Sequence, residues 1–195
     1  MFKGSKKDYR KLFKARRLSL TDAVYRTLNE ALLANFEQIS LAGIHYIHSF
    51  LPIPHQKEPD TFLFIDYLRK AWPDIHIVVP KSDLVSGEMT HHVYREDQEL
   101  LSNAWGIIEP AVDTHQVDIA LMDMVLIPLL AFDKKGHRIG YGKGFYDRFL
   151  SQCRGGVQKI GLSLFEPVDE ITDTDIHDVP LDCCITPKQI WTFSR

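Results

Sequence analysis

Gly140, Gly142 and Gly144 alternate with other residues in a stretch, Ala131 to Arg148, that reads Ala-Phe-Asp-Lys-Lys-Gly-His-Arg-Ile-Gly-Tyr-Gly-Lys-Gly-Phe-Tyr-Asp-Arg. Glycines so spaced reach backbone angles that residues with a Cβ rarely adopt, so successive N–H groups can converge on one anion. A helix opening just after them adds its free N-terminal amides and the positive end of its dipole. Arg138 contributes a planar fork and Lys143 a mobile point charge. Asp147 has the wrong sign for phosphate, which points to a divalent cation, magnesium by default, shared between carboxylate and phosphate oxygens. Neither the dinucleotide nor the Walker spacing is present, so spacing alone leaves two readings: a phosphate cradle, or a tight turn between strand and helix.

At 195 residues the chain is expected to form one domain spanning 1–195. Its net charge of −3, with both signs interspersed, argues against a general nucleic-acid binder. Nothing in it resembles a membrane span, and the basic N-terminus lacks the apolar core of a signal peptide, so a cytoplasmic location is expected. The three cysteines, Cys153, Cys183 and Cys184, have no paired metal-ligand spacing and suggest no disulfide framework. His91 and His92 are adjacent; neighbours on a strand point to opposite faces, which makes them a poor two-ligand metal site.

Several elements must position the glycine loop. Residues 6–17 read as a basic helix with Tyr9, Leu12 and Phe13 on one side; Lys6, Arg10, Lys14 and Arg17 form a charged face that, on residue type alone, meets water. Ser19 or Thr21 can cap a helix from Asp22 to about Phe36, with Val24, Leu28, Ala31 and Leu32 turned to the core. A buried strand is expected over Leu41–Ile47, followed by an extended proline loop. Asp60 can cap a helix to about Trp72, and Ile75–Val79 is a β-branched strand ending at Pro80, which makes a parallel βαβ unit with a right-handed crossover. Met89–Tyr94 reads as a strand, and 103–110 as loop. Met124–Leu130 is apolar almost throughout, as in a central strand covered on both faces. A helix from Phe145 to Cys153 and a strand from Val157 to Leu164 give a second βαβ-like unit, and Cys183–Thr186 is a last short strand. The sum is an open α/β sheet covered by helices, with ligands at the carboxyl ends of its strands.

With these elements in place, Phe132-Asp133, then Gly136, Arg138 and the string Ile139-Gly-Tyr-Gly-Lys-Gly-Phe-Tyr-Asp147 resemble the hallmark of the 5-formyltetrahydrofolate cyclo-ligase (5,10-methenyltetrahydrofolate synthetase) family. The resemblance extends to the N-terminal Lys-x-x-x-Arg, Glu58-x-x-Thr61, Val79-Pro80, Trp105-Gly-Ile-x-Glu-Pro110 and a late aspartate. It implies a single-domain, three-layer α/β/α fold with a mostly parallel sheet, of the NagB/RpiA/CoA-transferase type. It also implies ATP as co-substrate, bound by Lys6, Lys7, Asp8, Tyr9 and Arg10 and by Arg138, Ile139, Gly140, Tyr141, Gly142, Lys143, Gly144, Phe145 and Tyr146. Arg138, Lys143 and Tyr146 would be catalytic, and Asp147 and Asp178 would hold Mg2+. The folate would meet Phe50, Glu58, Met89, Trp105 and the loop residues Tyr141, Gly142, Lys143, Gly144 and Phe145. A carboxylate suits a pterin because it accepts two parallel hydrogen bonds from the amino-pyrimidine edge. Phe145 stands where the family more often has tyrosine, and the loop before Glu58 is longer than usual. The expected partners are small molecules, 5-formyltetrahydrofolate and ATP, acting on a monomer, with no nucleic acid and no membrane.

Rival classes want different features. A sugar-phosphate isomerase or acyl-coenzyme transferase on a related scaffold also wants a glycine phosphate loop but neither ATP nor a magnesium aspartate. A regulatory protein would bind folate or nucleotide without consuming ATP, and a nucleic-acid binder would rely on the N-terminal basic helix.

Overall fold

The computed structural model describes residues 3–83, 85–104, 106–111 and 115–194. Its main sheet has seven strands: β1 (Tyr46–His48), β2 (His76–Ser82), β3 (Met89–Val93), β4 (Met124–Pro128), β5 (Gln158–Leu162), β6 (Cys183–Ile185) and β7 (Ile190–Thr192). They lie in the order β7-β6-β5-β4-β1-β2-β3, with the inner strands parallel and β3 and β7 antiparallel at the edges. Four helices cover the sheet: α1 (Lys6–Leu18), α2 (Asp22–Phe36), α3 (Thr61–Ala71) and α4 (Phe145–Gln152).

The alternation of side chains along β4 builds both cores. Met124 and Leu126 join Phe36 of α2 and Phe64 of α3, while Val125 and Ile127 join Phe149 and Leu150 of α4. Successive strand residues face opposite ways, so a continuous apolar run requires a covered sheet on both sides. The three-layer α/β/α expectation is met. Both parallel units are present as well, β1–α3–β2 and β4–α4–β5.

Thr21, not Ser19, caps α2 by accepting from the Val24 amide, and Asp60 caps α3 by accepting from Phe62. The buried stripe of α2 runs through Asn29, Leu32 and Phe36, which leaves Val24 47 % exposed rather than in the core. On α1 the buried stripe is Tyr9, Phe13 and Arg17, spaced four apart; Leu12 lies outside it and Arg17 is drawn into the interior, against the expectation of a solvated charged face. β1 begins only at Tyr46, because Leu41–Ile44 closes a turn with Gly43 at φ +77°. β2 continues past Pro80 to Ser82: the Pro80 nitrogen faces the β1 side, where pairing has already ended opposite Val78, so no ladder bond is lost. Part of the stretch expected as loop, Ile108–Pro110, instead pairs with Leu100–Ser102 in a hairpin, with Gly106 at φ +76° in its turn.

His48, at the end of β1, is fully buried, and His91 on β3 nearly so. Their rings lie 5.1 Å apart, and His91 stacks on Phe149 at 4.2 Å while its neighbour His92 faces the other way toward Thr90. Both His48 ring nitrogens and Nδ1 of His91 lack hydrogen-bond partners. Burial, with a lesser push from the adjacent histidine charge, lowers both groups, His48 well below the ordinary range and His91 to about 4. Unfolded imidazoles take up protons near pH 6.5 while the folded ones stay neutral, so stability is full above that pH and falls as pH drops toward 4. Each histidine should remove about 1.6 kcal/mol between pH 6.5 and 5. Urea unfolding at the two pH values, with His91→Phe expected to show about half the loss, checks this.

Candidate active site

Between β4 and α4 the chain first makes a small hairpin, Ala131–Phe132 against Arg138–Ile139, and only then the glycine loop. The buried Asp133 carboxylate ties the hairpin by accepting from the amides of Lys135, His137 and Ile171. Gly142 and Gly144 have φ of +87° and +73°, and Gly144 is the N-cap of α4. Gly140 has no such angle and open space around it, so only two of the three glycines are demanded by the backbone.

Helix α1 fixes this loop from outside. Arg10 Nε donates to the Gly140 carbonyl at 3.0 Å, and Arg17 Nη2 donates to the Tyr141 hydroxyl. The Tyr141 hydroxyl in turn donates to Glu58 Oε1 at 2.6 Å, and the Ile53 amide donates to Glu58 Oε2 at 2.8 Å. Glu58 is 3 % exposed. Its segment is pinned by Tyr25, which donates to the Glu58 carbonyl, and by Thr61, whose hydroxyl donates to the Phe50 carbonyl at 2.6 Å.

One cavity of about 310 Å³ joins these parts. Lys6, Arg10, Lys14, Arg138 and Lys143 border it with positive charge; Phe50, Ile53, Met89, Ile108 and Phe145 give it an apolar wall around Glu58. Arg138, 7 % exposed, donates from Nη2 to Asp147 at 2.6 Å and from Nη1 to the Val179 carbonyl. Burial lowers the Arg138 pKa and the Asp147 carboxylate opposes that shift. Asp178 pairs with Lys6; burial pushes its carboxyl up, but the Lys6 ammonium, the Asp175 amide and the Arg138 charge hold it below the usual range. Tyr141 and Tyr146 also line the cavity, and burial first, then the Glu58 charge, pushes both phenols well up, so each keeps its proton across the physiological range.

The expected site residues thus divide. Lys6, Arg10, Arg138, Phe50, Glu58, Met89, Asp147 and Asp178 meet at the cavity, together with residues 140–146 of the loop and the first turn of α4. Lys7 and Asp8 face outward on α1, with Asp8 held in the Ser5 cap, and Tyr9 and Ile139 are core residues, so these four do not line it. The reason is helical period: in one turn only Lys6 and Arg10 share a face. Trp105 lies outside the described residues. Reading by residue type missed Lys14, one turn beyond Arg10, and the supporting role of Arg17; the i, i+4 spacing from Arg10 was the available signal for Lys14.

Basic side chains and a glycine loop facing an apolar slot with a buried carboxylate, at the carboxyl end of a parallel sheet, lie where α/β enzymes carry their sites. Comparison with known proteins makes the class specific. The sequence model of the 5-formyltetrahydrofolate cyclo-ligase family matches residues 2–187, and the chain belongs to that family. The 5-formyltetrahydrofolate cyclo-ligase of Escherichia coli (strain K12) is 31% identical over 138 residues, covering 70% of this chain and 75% of that one. The Mycolicibacterium smegmatis protein of the same name is 26% identical over 188 residues, 95% of each chain. Among solved structures, the NMR structure of Aquifex aeolicus 5,10-methenyltetrahydrofolate synthetase superposes with a TM-score of 0.81 at 26% identity, covering 97% of this chain and 93% of that chain. No helix among the described residues is long and apolar enough to cross a membrane.

Proposed function

We propose that the protein closes 5-formyltetrahydrofolate to 5,10-methenyltetrahydrofolate with ATP, releasing ADP and phosphate. The observation that carries this reading is the shared cavity in which the glycine loop, Arg138 and Lys6 face Glu58 across an apolar wall. An amide oxygen is a poor leaving group. Attack of the formyl oxygen on the terminal phosphorus breaks the bond to ADP and converts that oxygen to a phosphate ester; the side-arm amine then attacks the activated carbon, loses its proton and expels phosphate.

Such a reaction asks the protein for alignment and for compensation of charge on the moving phosphoryl group. Glu58, Phe50, Met89 and Phe145 hold the folate; Arg138, Lys6, Lys143 and the loop amides face the phosphates. Tyr146, whose buried hydroxyl has no partner among the described residues, stays a proton-bearing donor beside them. Asp147 and Asp178 both line the cavity, and each already holds a cation there, Asp147 the Arg138 guanidinium and Asp178 the Lys6 ammonium. That donor set fits Mg2+, which takes one or two carboxylates together with phosphate oxygens. Bound there, Mg2+ would offset the negative charge of the triphosphate.

Two variants report on the halves of the nucleotide site. Asp147→Asn should weaken Mg-nucleotide binding by about tenfold and leave folate affinity unchanged, since one of two carboxylate donors is lost; calorimetry that finds equal losses for both ligands would speak against the metal role. Gly142→Val places a branched side chain at φ +87°, with its Cβ 3.2 Å from the Arg10 guanidinium. The strain, on the order of 1–2 kcal/mol, should displace the cradle and lower turnover about tenfold with the circular dichroism spectrum intact. The reading as a whole is tested by product stoichiometry: one ADP and one phosphate per methenyl product, and no ADP without the folate. ATP hydrolysis independent of folate, or folate binding without hydrolysis, would favour a rival class.

A further inference from the structure

Glu58 is gripped from one side by each of its oxygens. A carboxylate offers roughly four lone-pair directions, and Tyr141 takes one on Oε1 while the Ile53 amide takes one on Oε2. One direction remains on each oxygen, the pattern that two parallel donors need. Tyr141 is itself clamped: Arg17, 2 % exposed, donates to the same hydroxyl and lies 5.6 Å from the ring. A donated hydrogen bond polarises the hydroxyl and strengthens the one it gives onward. The chain Arg17–Tyr141–Glu58 therefore runs from α1 through the glycine loop into the folate slot.

We propose that Tyr141 is a positioning residue for the folate: clamped by Arg17, its hydroxyl holds the buried Glu58 carboxylate oriented as a double acceptor. The inference rests on the reading of Glu58 as the grip on the pterin edge. Burial leaves the Glu58 pKa raised, toward the protonated form in which one oxygen becomes a donor and the double acceptor is lost, even with the groups that oppose it in place. Opposing that are the Arg17 charge, the Tyr141 hydrogen bond, the Ile53 amide and the His55 charge. Tyr146 from α4 and Tyr25 from α2 also face the group; both are pushed up, Tyr25 to about 12, and stay neutral. Among the described residues, Tyr141 is thus the one neutral side chain that couples a buried cation to this carboxylate by direct bonds.

The test is calorimetric binding of 5-formyltetrahydrofolate to the full chain, its Tyr141→Phe variant and its Glu58→Gln variant, at pH 7 and pH 9. Phenylalanine keeps the ring on Arg17 at a half-exposed position and removes only the hydroxyl. Tyr141→Phe should bind about tenfold more weakly at pH 7, the worth of a charge-assisted hydrogen bond, with a deficit that narrows toward pH 9, because losing that hydrogen bond moves the Glu58 pKa further up. Glu58→Gln should be weak at both. A Tyr141→Phe variant that matches wild type at pH 7, or a deficit just as large at pH 9, overturns the inference alone. A wild-type chain that binds no reduced folate overturns the reading of Glu58 and the inference with it.

Discussion

Replacing Arg138 with methionine is expected to lower turnover by about a thousandfold, the scale set by removing a principal charge from a phosphoryl-transfer site. The guanidinium is nearly buried, bonded to Asp147 and to the Val179 carbonyl, and it borders the cavity beside the glycine loop. Methionine fills the aliphatic stem without the charge. The Asp147 side chain is 34% exposed and keeps the Val179 amide, so it stays solvated and the fold should hold. Arg138→Lys separates charge from geometry, because an ammonium cannot serve Asp147, Val179 and a phosphate at once as a fork can. It should recover part of the loss. Stopped-flow turnover with unchanged circular dichroism checks both variants, and near-normal turnover in the methionine variant would remove Arg138 from the chemistry.

Glu58→Gln should weaken folate binding about a hundredfold, because two charge-assisted hydrogen bonds of roughly 1.5–3 kcal/mol each are at stake. Glutamine is nearly isosteric and can still accept from Tyr141 or Ile53, but its NH2 turns a donor toward a donor edge. A buried polar site that meets the wrong partner discriminates more strongly than one that loses apolar contact. Nucleotide affinity should change far less, since Lys6, Arg138 and the loop amides are untouched. Separate titrations with folate and nucleotide decide the matter; a parallel loss in both would mean that Glu58 supports the cavity as a whole and does not select the folate.

Much of this arrangement was legible in the residues, and the parts that were not share a physical reason. The glycine loop announced itself by composition, since Gly142 and Gly144 occupy angles that other residues avoid. Asp60 and Thr21 announced helix starts because capping is local chemistry. The apolar run Met124–Leu130 was readable as a doubly covered strand, although the strand ends at Pro128. The hairpin Leu100–Ser102/Ile108–Pro110 was not, because three-residue strands carry no period to detect. Arg17 was misjudged for another reason: its partner Tyr141 is 124 positions away, and a cation on a basic helix looks solvated until the tertiary partner is known. His48 shows the same limit, its burial being set by Phe149 and His91 from other elements. Phe50 and Glu58, placed by family resemblance across a long loop, do meet at the cavity, where Thr61 and Tyr25 tie that loop down.

The most direct test of the central claim follows the near-ultraviolet absorbance of the methenyl product when the protein is mixed with 5-formyltetrahydrofolate, ATP and magnesium. The account predicts a rise in absorbance that requires every component and disappears when ATP is omitted. No rise in the complete mixture, or an equal rise without ATP, would contradict it.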